Sequence, residues 1–339
     1  MTGSQRTGVD GAPAPAAPRP HEAPGARVPD FFVVGQPKSG TTALYEMLRA
    51  HPQVYMPALK EPMLMASDLL AGVRRQVVRA RPQTLAQYLA LFAEAGPQQQ
   101  AGEASALYLC SRDAAANIAR LQPTARIVAI LREPASLLAS LHMQLLQDHA
   151  ETERDLRRAL ALEPRRREGL DVPAATPRPA ALHYSEHVRY VEQLRRYHEV
   201  FAPEQVLVLI YDDFRADNEA VVRQVLRFLG LDDTLALARS QANASVRLRS
   251  SRLDEMVKGV SAGRGPVARL ARVPLRVLPR ELRRGAVRTA QRRLLYAQPK
   301  PPPEELVREL RERYEPEVRA LADYLKRDLV SLWGYDRLR

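Results

Sequence analysis

Residues 31–44 read FFVVGQPKSGTTAL, and the pattern of this stretch is the strongest indication of the fold class. Four apolar residues end at Gly35, a short polar stretch runs to Gly40, and a helical pattern follows. This order predicts a strand, a glycine turn and a helix, which together wrap a phosphate in backbone N–H groups. The glycine spacing matches the nucleotide loop G-x-x-x-x-G-K-[ST], but Thr41 stands in the lysine position and the lysine, Lys38, lies inside the loop.

Beyond this loop, short apolar runs alternate with longer amphipathic ones. RIVAIL (126–131) and QVLVLI (205–210) are strand candidates, whereas TLAQYLALFAEAG (84–96) and NEAVVRQVLRFL (218–229) have helical periodicity. Strands that alternate with helices indicate a mostly parallel sheet covered on both faces. The sequence therefore predicts an α/β, P-loop-like three-layer fold with a central, mostly parallel sheet flanked by helices.

Two longer helical stretches complete this prediction. Residues 183–201 are predicted to form one helix, with His183 and His187 four residues apart. Such a pair can bind a metal, but no third ligand is evident. A solvated position, or one that faces the substrate that accepts a transferred group, is favoured. Residues 301–335 are predicted to form two helices that are broken near Pro316.

Composition bounds the class of protein. The chain has 339 residues, 45% of them apolar and 27% charged, which is ordinary for a globular protein with one large core or two modest ones. Residues 1–28 contain five Pro, four Gly and six Ala but no Ile, Leu or aromatic residue, so we expect a disordered leader before a single domain at 29–339. The single cysteine, Cys110, excludes an internal disulfide. With no secretory signal and no long apolar run, a cytoplasmic location is expected.

The net charge of +12 is concentrated in one region. Residues 245–300 contain fifteen Arg and Lys against three Asp and Glu. This basic region has two interpretations. It is either a lid over the site of the acceptor substrate or a peripheral element that lies on anionic lipid. Pro266, Pro274 and Pro279 interrupt any long helix and favour the lid. Nucleic acid is not expected as a partner, because the region has one aromatic residue, Tyr296, and no reader motif.

The strand at 126–131 is followed by Arg132, at a place where ATPases and related enzymes carry an acidic residue for Mg²⁺. An arginine there repels a metal ion and attracts an anion. Together with Lys38 inside the loop, it indicates an anionic nucleotide held without a metal. Two alternatives stay open: a Mg²⁺-dependent P-loop nucleotide kinase, and a non-catalytic basic protein that binds membrane surfaces.

Several motifs, in order, resemble the sulfotransferases that use 3′-phosphoadenosine-5′-phosphosulfate (PAPS), especially their bacterial and Golgi carbohydrate branches. PKSGTTAL resembles the family's 5′-phosphosulfate loop, and LREPASLLAS its 3′-phosphate element. LKEPMLM, GEASALYL, LIYDDF, FLGL and DLVSLWGY are also similar to family segments. The resemblance implies transfer of a sulfuryl group from PAPS to a hydroxyl of a small molecule, a glycan or a lipid, with secondary metabolites among the acceptors. It also places Glu103 and Ser105 at the site.

The resemblance assigns the donor contacts residue by residue. The N–H groups of 39–42, with the hydroxyls in that stretch, would bind the 5′-phosphate, and Arg132 with Ser140 would bind the 3′-phosphate. Lys38 would stabilise the negative charge that develops on the leaving phosphate. The predicted donor-binding residues are Lys38, Ser39, Gly40, Thr41, Thr42, Arg132 and Ser140.

The acceptor hydroxyl needs a general base. Glu61 is the first choice, because the resemblance places the catalytic glutamate of the carbohydrate enzymes there, and Lys60 beside it could support the base or contact the donor. Residues 63–65 read Met-Leu-Met where relatives often have His-Phe-Phe, so the acceptor pocket departs from the family pattern. His142, two residues beyond Ser140, is the second candidate base.

Overall fold

Five parallel strands form the central sheet of the protein, in the order β2-β3-β1-β4-β5. The computed structural model describes residues 26–70, 81–235 and 302–338, with the backbone of 247–248 and 296–297. The strands are β1 (Phe31–Gly35), β2 (Val54–Tyr55), β3 (Gln100–Ala104), β4 (Arg126–Leu131) and β5 (Val206–Ile210). A separate antiparallel pair joins β6 (Arg247–Leu248) to β7 (Tyr296–Ala297).

Helices connect and cover these strands. They are α1 (Thr41–Arg49), α2 (Ser67–Leu70), α3 (Leu85–Leu89), α4 (Ala114–Leu121), α5 (Pro134–Gln147), α6 (Leu156–Ala161), α7 (Glu163–Arg167), α8 (Tyr190–His198), α9 (Tyr211–Ala216), α10 (Asn218–Leu229), α11 (Glu304–Leu325) and α12 (Leu329–Leu332). Short 3₁₀ turns lie at Ala90–Phe92, Pro179–Leu182, Tyr184–Val188, Pro203–Gln205 and Tyr335–Arg337. None of the helices in the described ranges is long and apolar enough to span a membrane.

The sheet divides the core into two layers, because successive side chains of a strand point to opposite faces. On β1, Phe32 and Val34 pack in one apolar cluster, and Phe31 and Val33 in the other. Helices α1 and α10 cover the second cluster, whereas α4, α5, α8 and α11 cover the first. The predicted three-layer α/β fold with a parallel central sheet is confirmed.

The strand order creates a crevice beside β1. The chain leaves β1 toward β2 and β3 on one side, whereas it leaves β4 toward β5 on the other side. Ligands of open α/β sheets bind outside the carboxyl ends of the strands at such a reversal. The loop that follows β1 at 36–40 and the residue that follows β4, Arg132, therefore meet at the expected position for a ligand.

Three predictions about helices are corrected by the structure. Residues 301–335 contain one continuous helix from Glu304 to Leu325 with Pro316 inside it. A proline removes one backbone hydrogen bond, but the apolar face of this helix is buried on both sides of it, at Tyr314 and Val318, and that packing keeps the helix continuous.

The other two corrections have local causes. The helix predicted at 84–96 ends at Leu89 and tightens into the 3₁₀ turn Ala90–Phe92, where the Tyr55 hydroxyl donates to the Leu91 carbonyl at 3.0 Å. The helix predicted at 183–201 is a 3₁₀ turn followed by α8, because Arg189 between them has a non-helical ψ of 60°. The predicted leader up to residue 25 and the lid-like region 245–300, apart from the two short strands, lie outside the described residues.

Candidate active site

The loop between β1 and α1 has the geometry of a phosphate cradle. Gly40 precedes the first helical residue with φ 86°, and a Cβ atom there would lie 3.0 Å from the Phe214 ring, so the position requires glycine. The first N–H groups of α1 have no carbonyl partner within the helix. Ser39 is fully buried, and its hydroxyl has no hydrogen-bond partner in the described parts of the chain. The loop therefore offers donors suited to an anion.

Lys38 lies at the turn of this loop, with its backbone in the left-handed region at φ 64°. Its Nζ donates a hydrogen bond of 3.0 Å to Gln144 Oε1 on α5, and the Gln144 amide donates to the Asp148 carboxylate at 3.0 Å. Burial lowers the pKa of the Lys38 amine, the positive charge of Arg132 lowers it further, and Asp148 opposes both. The ammonium is thus held in place by a polar chain on α5 and lacks a directly paired carboxylate among the described residues.

Arg132 joins the end of β4 to this loop. Its Nη1 donates a hydrogen bond of 2.8 Å to the Lys38 carbonyl oxygen. The guanidinium lies 4.8 Å from the ring centroid of Tyr211, and the Tyr190 hydroxyl donates to the Arg132 carbonyl at 2.7 Å. Ser140 follows on α5 and is buried. The structure therefore brings the two predicted donor-binding segments, the loop and the Arg132 element, into direct contact.

Glu61 lies in the loop after β2, and its backbone is fixed to the sheet. Its N–H donates to the Ala104 carbonyl at 3.0 Å, and its own carbonyl accepts from the Arg81 guanidinium. The backbone φ is 60°, a left-handed value that a non-glycine residue rarely adopts and that is often found at functional sites. The carboxylate is 32% exposed and pairs with Lys60 Nζ at 3.2 Å. A partly exposed, oriented carboxylate is suited to accept a proton.

Residues that follow β3 hold the Glu61 loop in place. Ser105 Oγ accepts from the Met63 N–H at 3.3 Å, and the Tyr108 hydroxyl accepts from the Met65 N–H at 3.2 Å. Met63 and Met65 are fully buried in the apolar core. The departure from His-Phe-Phe at 63–65 thus changes the core under the loop, because these two side chains do not face the site.

Glu103 lies beneath the same loop and is fully buried. The Tyr88 hydroxyl donates to its Oε2 at 3.0 Å. Burial raises the pKa of the Glu103 carboxyl to about 7, against hydrogen bonding by neighbouring hydroxyls, and the negative charge of Glu61 adds to the increase. Glu103 is therefore a buried carboxyl with a pKa near neutrality, and the charge of the candidate base acts on it.

His142 is placed differently from Glu61. Its ring is buried, with Nδ1 2.9 Å from the Tyr184 hydroxyl and Nε2 3.3 Å from the Arg154 carbonyl oxygen. Burial lowers the pKa of this imidazole. Tyr184 in turn donates to Glu151, which forms a buried ion pair with Arg166 at 2.6 Å. Both ring nitrogens are thus engaged in a buried network, and the geometry favours Glu61 as the base.

Two arginines that the sequence did not single out lie near Glu61. Arg81 contacts the Glu61 backbone, and the charges of Arg81, Glu61 and Asp148 all act on Arg178. Asp148 also acts on Lys38, so the charges of Arg178, Lys38 and the candidate base share neighbours. Neither arginine belongs to a recognisable motif. They are identified as candidate site residues only by their proximity to Glu61 in the folded chain.

Metal ligands are not assembled here. Among residues 26–70, 81–235 and 302–338, no group of three or more His, Cys, Asp and Glu side chains could hold a metal ion. His183 and His187, the predicted pair, are not on one α-helix, and His187 Nδ1 lies 3.5 Å from Cys110 Sγ. That the reaction needs no metal stays a prediction.

The sequence matches a known family over the residues that form this site. The model of the Sulfotransferase family matches residues 29–234, which include the loop, Glu61 and Arg132. The chain belongs to the Sulfotransferase family. Over 35 residues it is 57% identical to carbohydrate sulfotransferase 15 of Homo sapiens, and the proteins of that name from Rattus norvegicus and Mus musculus match equally well. That match spans 10% of this chain and only 6% of the length of the curated relatives.

A solved structure of a sulfotransferase shows the same fold. It is a sulfotransferase from Alicyclobacillus acidocaldarius, which aligns with a TM-score of 0.66 over 91% of this chain and 99% of its own. The two sequences are 24% identical. At this identity the likeness concerns the fold, so the roles of individual residues depend on the geometry described above.

Proposed function

We propose that the protein transfers a sulfuryl group from PAPS to a hydroxyl of an acceptor molecule. The observation that carries the proposal is the contact between Arg132 and the carbonyl of Lys38, which makes one anion-binding unit from the loop and the strand end. Membership of the Sulfotransferase family supports the same reaction class and implies PAPS as the sulfuryl donor.

The donor would be held by groups that the loop leaves available. The N–H groups at the start of α1, with the exposed Thr42 hydroxyl, would bind the 5′-phosphate at the positive end of the helix dipole. Arg132 would bind the 3′-phosphate through the guanidinium nitrogens that do not contact Lys38. The buried, unpartnered hydroxyl of Ser39 fits an anion-binding role for this loop.

The transfer step exchanges two sulfur–oxygen bonds. The bond from sulfur to the phosphate oxygen breaks as the bond from sulfur to the acceptor oxygen forms, and the electron pair remains on the phosphate. The Lys38 ammonium, held by Gln144, would stabilise that charge more in the transition state than in the bound donor. Glu61 would take the proton of the acceptor hydroxyl. The products are 3′-phosphoadenosine-5′-phosphate (PAP) and the sulfated acceptor.

The kinase alternative lacks the residue that it requires. A P-loop kinase places an acidic side chain for Mg²⁺ on the strand beside the loop, and this chain has Arg132 after β4 instead. Arg132 stacks on Tyr211 and contacts the loop backbone, which puts a positive charge beside the loop.

The proposal is tested by a transfer assay with PAPS and a pooled panel of hydroxyl compounds, read by mass spectrometry for an added sulfo group. We expect product without added metal, and we expect Lys38→Ala and Glu61→Gln to abolish it. Arg215→Ala, which changes an exposed arginine on α9, is the matched control and should retain activity. Phosphorylation of acceptors by ATP and Mg²⁺, with no sulfo transfer from PAPS, would overturn the assignment.

A further inference from the structure

A cavity of about 250 Å³ is lined by Arg178, the arginine on which the charge of the candidate base Glu61 acts. We call it the acceptor cavity, and the lining residues used here are Leu107, Cys110, Arg178, Ala181, His183 and His187. Much of the wall surface is apolar, but seven of the twelve lining residues are charged or histidine, and three of these are arginines, Arg112, Arg167 and Arg178. A cavity of this size accommodates one ring or a short chain, which is much smaller than a nucleotide.

Two buried nitrogen atoms on this cavity lack partners. Arg178 Nε and His183 Nε2 are both buried and have no hydrogen-bond partner in the described ranges. Three charged groups of the lining are already engaged: Glu186 pairs with Arg167 at 2.7 Å, and Asp68 accepts from Ser111 at 2.5 Å. A buried donor without an acceptor costs free energy, and a bound oxygen group removes that cost.

The charge of Arg178 is only partly compensated. Burial lowers the pKa of its guanidinium, the positive charge of Arg81 lowers it further, and the carboxylates of Glu61 and Asp148 oppose both. Arg178 makes no salt bridge to any described residue. A partly desolvated cation on the wall of a cavity favours a ligand that brings an anionic oxygen.

Arg178 also connects the cavity to the reaction centre. It lines the acceptor cavity and lies close enough to Glu61 for their charges to interact. A molecule seated in the cavity with its anionic group on Arg178 would therefore present a neighbouring hydroxyl toward Glu61. The apolar wall would hold the rest of its body.

We propose that the acceptor cavity binds the body of the acceptor, and that Arg178 selects acceptors with a carboxylate or another anionic oxygen group on a small apolar ring or chain. That the bound molecule is the acceptor rests on the proposed function. The preference of the cavity for anions, in contrast, can be measured without turnover. Neutral acceptors such as unsubstituted sugars would be disfavoured.

The only cysteine of the chain lies in this wall and serves as a probe. Cys110 is only partly exposed, and burial raises the pKa of its thiol to about 12, so its alkylation will be slow and is read at this residue by peptide mass spectrometry. We would compare the rates of iodoacetate, an anion, and iodoacetamide, a neutral reagent of nearly the same size. Relative to glutathione under the same conditions, the protein should favour iodoacetate about fivefold, since one nearby charge contributes on the order of 1 kcal/mol.

Variants separate the charge from the fold. Arg178→Gln should lose the preference for iodoacetate, and Arg178→Lys should keep part of it. Arg165→Gln, which changes an exposed arginine paired with Asp171, is the matched control and should behave as wild type. Melting curves of the three variants show whether the fold is intact. An unchanged ratio in folded Arg178→Gln, or no preference in the wild type, would overturn the proposal.

A second arm tests ligands directly. We expect 3-hydroxybenzoate to slow the alkylation of Cys110 by iodoacetamide at concentrations where 3-hydroxybenzamide has little effect, and Arg178→Gln should abolish the difference. Equal protection by the two compounds, or none by either, would overturn the selectivity. PAP binding is measured on the same samples. Loss of PAP binding would count against the proposed function, whereas loss of the anion preference would count against the selectivity of the acceptor cavity alone.

Discussion

Arg132 Nη1 donates a hydrogen bond of 2.8 Å to the carbonyl oxygen of Lys38. The strand-end arginine and the loop lysine are therefore one unit, although 94 positions separate them in the sequence. The arginine orients the backbone of the loop, while the side chain of the lysine turns to Gln144. Removal of each side chain is accordingly expected to cause a different defect.

Replacement of Arg132 should weaken nucleotide binding. A charge-assisted hydrogen bond contributes about 1.5–3 kcal/mol, so Arg132→Ala should raise the Kd for PAP at least about tenfold in calorimetry. Arg126→Ala is the matched control, because Arg126 lies at the other end of β4 and stacks on Phe228 with its guanidinium 5.4 Å from the ring centroid. Equal effects of the two substitutions would contradict the assignment of Arg132 to the 3′-phosphate.

Replacement of Lys38 should affect turnover more than affinity. Its charge is needed most as the leaving phosphate becomes negative, so Lys38→Ala should lower kcat by about 100-fold or more, with a much smaller change in the Kd for PAP. Gln144→Leu, which removes the acceptor at 3.0 Å from Nζ, should lower kcat less, because the ammonium remains but is no longer positioned. Steady-state kinetics beside calorimetry distinguish these effects. A large loss of affinity in Lys38→Ala with unchanged kcat would assign the lysine to ground-state binding.

The choice between the two candidate bases is open to direct comparison. Glu61→Gln should remove turnover and keep PAP bound and the melting temperature nearly unchanged, because the carboxylate is partly exposed. His142→Gln should instead lower the free energy of unfolding by about 1–3 kcal/mol, since it disturbs buried contacts to Tyr184 and Arg154. If folded Glu61→Gln stays active and His142→Gln does not, the base is His142.

Stability should depend on pH through Glu103. Its pKa is raised to about 7 in the folded chain from an ordinary value of 4.5, so the folded state keeps a proton that the unfolded state loses. Stability from this group is complete below about pH 4.5 and decreases as the pH rises toward 7, by about 3 kcal/mol at most. Glu103→Gln should remove that decrease when urea unfolding is followed at several pH values. The exposed Glu94→Gln is the control, and a parallel slope in wild type and Glu103→Gln would contradict the prediction.

Much of the fold was predictable because local patterns and tertiary packing agree. The apolar runs at β1, β4 and β5 and the helix α10 carry clear periodicity, and the glycine loop has a recognisable spacing. The third strand, β3, was missed because QAGEA has no β-branched or aromatic residue. Its glycine has a tertiary cause: a Cβ at Gly102 would lie 2.1 Å from the Phe31 ring.

The candidate site was predictable only in part. Motif resemblance located Lys38, Arg132 and Glu61, and the structure brings their loops to one edge of the sheet. Arg178 lies in an irregular segment, and the charged residues that act on it are distant in sequence. No periodicity or spacing in the sequence therefore identifies it as a site residue. Its role depends on burial and on charges from three different elements, which are properties of the folded chain alone.

The loop with Lys38 and the strand-end Arg132 together form the proposed PAPS site. The most direct measurement is a calorimetric titration of the whole chain with PAP, with and without EDTA, beside a titration with ATP and Mg²⁺. We predict one PAP site per chain whose affinity is the same in EDTA, and much weaker binding of ATP. Absence of PAP binding, or binding of ATP that requires Mg²⁺ and exceeds that of PAP, would contradict the account.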